Sequence, residues 1–154
     1  MPSNRSLDRI IRTLRSFMRS SGLPRPDRLV ISARSGSVHA EFASGTAPDR
    51  FASLLLWSSR LDGLTLTWTL RPDNTLTLAA TARNGAGLAF GLTASADVSD
   101  FDAAPAEKAA VTLAGSFRLA VLVVEPVTYE EVARLVHLGR AVAARRARVA
   151  GIAA

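Results

Sequence analysis

The sequence has no cysteine, one lysine and one tyrosine in 154 residues. Without cysteine, disulfides and thiolate metal sites are excluded, which agrees with a cytoplasmic location. A single tyrosine and two tryptophans leave few flat platforms for stacking single-stranded bases. No apolar run reaches the roughly 20 residues of a membrane helix. The longest candidate, residues 119–127, is about half that length and is stopped by Glu125 and Pro126. No membrane association is therefore expected. Catalytic signatures are missing too: the chain contains neither an HExxH run nor a GxSxG elbow. On that ground we expect no enzyme, no cofactor and no metal.

A hydrophobic content of 48% with 21% charged residues is that of a globular chain rather than a disordered one. The length suits one domain spanning residues 1–154. All basic residues but Lys108 are arginine, and the net charge is +6. Residues 1–22 hold five arginines against Asp8, a balance of +4, and residues 129–154 hold five against Glu130 and Glu131, a balance of +3. The remaining middle sums to −1, so the basicity belongs to the two ends.

Each end reads as an amphipathic helix. Over about residues 6–21, Leu7, Ile10, Ile11, Leu14, Phe17 and Met18 recur at a spacing of three to four, an apolar stripe along one face. Ser6 is the expected cap, and Gly22 with Pro24 the stop. An Arg- and Ser-rich amphipathic start also fits a transit peptide, but a helix packed on the core accounts better for the clean stripe. Over about residues 129–149 the buried positions are Val132, Leu135, Val136, Gly139 and Val142, and Thr128 with Glu131 fits a capping box. Arg134, His137, Arg145 and Arg148 fall within about 80° on another side of that helix.

Between the ends, residues 28–44 predict two short strands around a Ser35-Gly36 turn, and residues 45–63 a helix capped by Thr46 and ended by Gly63. Strict alternation over 64–70, 75–83 and 87–97 predicts a three-stranded meander, turned at 71–74 and at Asn84-Gly85. Residues 99–109 read as a loop or one helical turn. Residues 110–126 alternate again, and Gly115 leaves open whether they form one strand or two. The order α-ββ-α-βββ-β-α predicts an α+β fold with a mostly antiparallel, twisted sheet.

One face of that sheet carries leucine, tryptophan and phenylalanine. The other carries Thr65, Thr67, Thr69, Thr75, Thr77, Thr81, Thr93, Ser95, Thr112 and Ser116, with few charges besides Arg83 and Arg118. Such a small, uncharged face suits a flat partner. Three motifs with a chemical reading are better explained otherwise. The run 85–91 (GAGLAFG) is followed by more alternation and not by a helix, so it is a hairpin turn and no phosphate loop. Asp97, Asp100 and Asp102 lack EF-hand spacing and read as a solvated loop. His39 lies in a strand with Glu41 on its side, opposite Val38, Ala40 and Phe42.

Two functional readings follow. The first is a non-catalytic binding or assembly module, a homodimer or a protein that docks a partner, using the Thr-rich face (Thr65, Thr67, Thr69, Thr75, Thr77) or a sheet edge. The alternative is a nucleic-acid-associated accessory or regulatory protein. It would grip phosphates with Arg5, Arg9, Arg12 and Arg19 at one end and Arg134, Arg145 and Arg148 at the other. The closing helix offers no Asn or Gln beside its arginines, so only non-specific binding would result.

Overall fold

The computed structural model describes residues 4–106 and 110–153. It is an α+β fold with a helix at each end. The first helix, α1, runs Asn4–Ser21, two residues ahead of the expected Ser6 start. It stops where expected: Gly22 turns left-handed at φ 58°, and the Leu23 N–H reaches back to the Met18 carbonyl at 3.3 Å, closing the last turn as glycine allows. Strands β1 (Arg28–Ser32) and β2 (Ser37–Phe42) form the first hairpin.

Helix α2 spans Ala47–Ser58, with Thr46 accepting the Asp49 N–H and Pro48 in the first turn. It ends before Gly63, contrary to expectation. Gly63 instead lies inside strand β3 (Asp62–Leu70) at φ 64°, where the register with the next strand slips between Asp62 and Thr65. It is a bulge glycine, not a helix stop. Strands β4 (Thr75–Arg83) and β5 (Ala89–Asp97) complete the meander. The turn between them is built on Asn84, whose side-chain oxygen accepts from the N–H groups of Ala86 and Leu88. The glycine-rich run is thus a hairpin.

The segment from residue 98 onward is richer than its pattern. A 3-10 turn at Val98–Phe101 leads into β6 (Ala103–Ala106), and the later alternating run divides into β7 (Ala110–Leu113), β8 (Phe117–Ala120) and β9 (Val124–Pro126). Ala114 and Gly115, both at positive φ, make the β7–β8 turn, and Leu122 at φ 62° kinks the chain toward β9. Strands β6, β7 and β8 make a separate three-stranded sheet, whereas β9 joins the main one. Helix α3 (Tyr129–Ala153) closes the chain, opened by the reciprocal bonds between Thr128 and Glu131.

The main sheet has the order β1-β2-β5-β4-β3-β9 and is antiparallel throughout except at β2 and β5. That pair is parallel because α2 carries the chain from β2 across to β3, and the meander then returns β5 alongside β2. The apolar face, with Leu66, Trp68, Leu70, Leu76, Leu78, Phe90 and Leu92, is buried beneath the helices. Trp57 is the hub between α2 and α1: its ring meets Phe17, Phe42 and Phe90, and its N–H donates to the Pro24 carbonyl at 2.9 Å. On α3, Val132, Leu135 and Val136 are buried, and Gly139 lies where the helix crosses α2. A Cβ on Gly139 would stand 2.8 Å from the Phe101 ring and 2.9 Å from Pro48. The small sheet sits against the β3 side of the core through Phe117, packed edge-on to Trp68 at 5.5 Å.

Candidate functional site

The core burial leaves the opposite face of the main sheet without any covering element among the described residues. Cross-strand register aligns its side chains in rows. Thr69, Thr77 and Ser95 form one row, Thr67, Ala79 and Thr93 a second, and Thr65, Thr81 and Gly91 a third. The Thr77 and Ser95 hydroxyls are 3.0 Å apart and bonded. Beyond β5 the second and third rows continue to Glu41 and His39 of β2. The charged residues of this face are Arg28 and Glu41, on β1 and β2, and Arg83 and Asp97 at strand ends. Thr112, Ser116 and Arg118 do not belong to this face. Thr112 pairs with Arg118 in the small sheet, and Ser116 lies in the β7–β8 turn. The sequence pattern grouped them with the others because a change of sheet leaves the alternation intact.

Near one corner the face dips into a shallow hollow of about 550 Å3, lined among others by Ser32, Ser37, His39, Thr81, Arg83 and Gly91. The His39 ring lies over Gly91, where a Cβ would come within 3.0 Å of Nδ1, and Nε2 is 3.3 Å from the Thr93 hydroxyl. Among the described residues Thr93 is the one side chain bonded to this histidine, and no carboxylate or serine is. Among the described residues no group of three or more His, Asp or Glu side chains is placed to hold a metal ion. Asp100 approaches Arg146 at 4.0 Å, and Asp97 caps the 3-10 turn by accepting the Ser99 N–H at 2.9 Å. That bond, with one from the Ser99 side chain, holds the Asp97 carboxyl below its ordinary titration range.

The arginines separate into two groups. On α1, Arg9 faces the β1–β2 and β4–β5 turns, lining a hollow with Gly36 and Gly87. Arg12 and Arg19 lie on the outer side together with Arg15, which the sequence reading had not grouped with them. The side chain of Arg5 lies outside the described residues. On α3, Arg134 donates to the Ser116 hydroxyl at 3.2 Å and stands 5.7 Å over the Phe117 ring, so it ties the small sheet to the helix. Arg140 pairs with Asp49 at 3.3 Å, and Arg146 donates to the Ser99 carbonyl at 2.7 Å. Arg145, Arg148 and His137 are exposed. The two basic helices meet the rest of the helical layer at different places. α1 docks on α2 at Trp57, whereas α3 crosses it at Pro48, nine residues or about 13 Å away along α2.

No family model, curated protein or solved structure is significantly similar to this chain. The surface itself therefore carries the functional argument. No helix among the described residues is long and apolar enough to cross a membrane.

Proposed function

We propose that this protein is a non-catalytic assembly module that forms a two-fold dimer through the open, hydroxyl-rich face of its six-stranded sheet. The observation that carries the reading is the one-sided sheet. Its helices cover only the apolar side, and the three aligned rows of the uncovered side hold only threonine, serine, alanine and glycine across β3, β4 and β5.

A second copy is the occupant that this chemistry fits. Hydroxyls both donate and accept, so a threonine pattern meets its own image without conflict. The net charge of +6 would oppose self-association through the basic helices, but the face is free of that repulsion. Size is sufficient as well. Six strands at about 4.8 Å spacing, with nine residues in each central strand, present on the order of 600 Å2 per copy. Two such faces reach the roughly 1,200 Å2 at which specific interfaces begin. The phosphate-gripping alternative fits this geometry less well, because the basic stripes of α1 and α3 are separate and Arg134 is already engaged.

The absence of native cysteine makes spin labelling direct. Labels on Arg83→Cys, at the rim of the open face, should lie close together in the dimer. Labels on Leu56→Cys, exposed on the far side of α2, should be more distant by about 20 Å, since each helical layer adds roughly 10 Å. A shorter Leu56 distance, or no dipolar coupling at either site, would overturn the proposal.

A further inference from the structure

We infer that the β1 edge of the sheet is a second, separate binding site, which takes an acidic polypeptide segment in extended form as an added strand. The two edges of the main sheet are unequal. β9 is three residues long and ends in Pro126, whose missing N–H and short length blunt that edge. β1 is five residues with no proline, and no described residue pairs with its outer side. Its Leu29 and Val30 are 38% and 46% exposed. Asp27 holds the strand to β2 by accepting from the N–H groups of Ala43 and Ser44 and from the Ser44 hydroxyl, so the edge is fixed in place before a partner arrives. A fixed, unpaired edge offers N–H and C=O groups in the spacing that an extended peptide matches.

Charge selects the peptide. Phe17 points toward α2 and β5. Arg12, Arg15 and Arg19 sit about 140–160° around α1 from Phe17, on the outer side of the helix that packs against β1. Arg25 joins Arg15 and Arg19 around a common hollow, and the chain then enters β1 at Arg28. Arg28 itself belongs to the open face; none of the other four guanidinium groups, Arg12, Arg15, Arg19 and Arg25, is in an ion pair among the described residues. A second copy of β1 would bring the same arginines together and be repelled. Nucleic acid would satisfy the cations but leave the strand edge unused. A segment with acidic side chains at alternate positions satisfies both, with carboxylates on the helical side and small apolar residues beside Val30.

The test is a fluorescence anisotropy titration of the full chain with a labelled ten-residue peptide of alternating glutamate and valine, followed by amide exchange. We expect saturable binding that weakens several-fold between 50 and 200 mM salt, and protection of the amides of residues 28–32. R15E/R19E should weaken binding at least tenfold, and these exposed positions tolerate the change without unfolding. Thr67→Arg should leave peptide binding unchanged, because Thr67 is on β3, four strands away from β1. Four results would each overturn the inference: no binding; equal binding of a lysine–valine peptide; displacement by duplex DNA without protection of residues 28–32; or concentration-dependent protection of those residues without peptide, which would make a second copy the occupant.

Discussion

Single side chains decide how tightly the helical layer sits on the sheet. Gly139 is the point of closest approach, and Gly139→Ala sets two effects against each other. Alanine improves helix propensity by about 1 kcal/mol, but a methyl group pressed on Phe101 and Pro48 costs about 1–3 kcal/mol of overpacking. A net loss on the order of 1 kcal/mol is expected, read as a lower urea midpoint at unchanged slope; a gain would show that Phe101 and Pro48 yield easily. The two tryptophans give a second contrast. Trp57 donates its N–H to Pro24, whereas the buried N–H of Trp68 has no partner among the described residues. Trp57→Phe should therefore destabilise more than Trp68→Phe, by about 1–2 kcal/mol, since only the first breaks a hydrogen bond. Equal losses by denaturant titration would contradict the assigned bond.

At the scale of elements, α3 is two helices in one. Up to Val142 it alternates buried and exposed positions, and residues 143–151 are exposed on all sides. Truncation after Ala147 keeps the Arg146 contact with Ser99 and should change stability by less than about 0.5 kcal/mol, whereas Leu135→Ala should cost about 2–5 kcal/mol. Thermal melts of the two variants check this directly. Local patterns made much of this layer legible in the sequence. The stripe of Leu7 to Met18, the Thr128–Glu131 box and the strict alternation from Leu64 to Ala96 each state their element without reference to the rest of the chain. What the sequence hid is non-local. No local signal announces that β2 and β5 run parallel, that β9 leaves the small sheet for the large one, or that Gly63 serves a bulge. The open face was legible as a hydroxyl-rich row, but Thr112 and Ser116 could be removed from it only by the pairing of β7 with β8.

For the whole molecule, electrostatics separate into a few anchored carboxylates and a surplus of guanidinium groups. Asp27 is held below its ordinary titration range by the Ser44 hydroxyl and by the N–H groups of Ala43 and Ser44, and Asp49 by Thr46 and then Arg140. With Asp97 they bind protons less readily folded than unfolded. Their stabilisation is therefore fully present above the ordinary aspartate value, about pH 4, and is lost as pH falls through the lowered folded values. The melting temperature should change little from pH 7 to about 5 and drop below about 4, and Asp27→Asn should flatten that drop. A melt as stable at pH 2 as at pH 6 would contradict these anchors. At neutral pH charge lies on the outer helices and along the β1 flank, and in the proposed reading the hydroxyl-rich rows of β3, β4 and β5 take a second copy of the chain. Sedimentation equilibrium tests that reading most directly. The protein should approach twice its 16.3 kDa chain mass with rising concentration, and Thr67→Arg with Thr77→Arg should return it to the single-chain mass while it stays folded. A wild-type protein that remains at the single-chain mass at every concentration, or a dimer indifferent to those two arginines, would contradict the account.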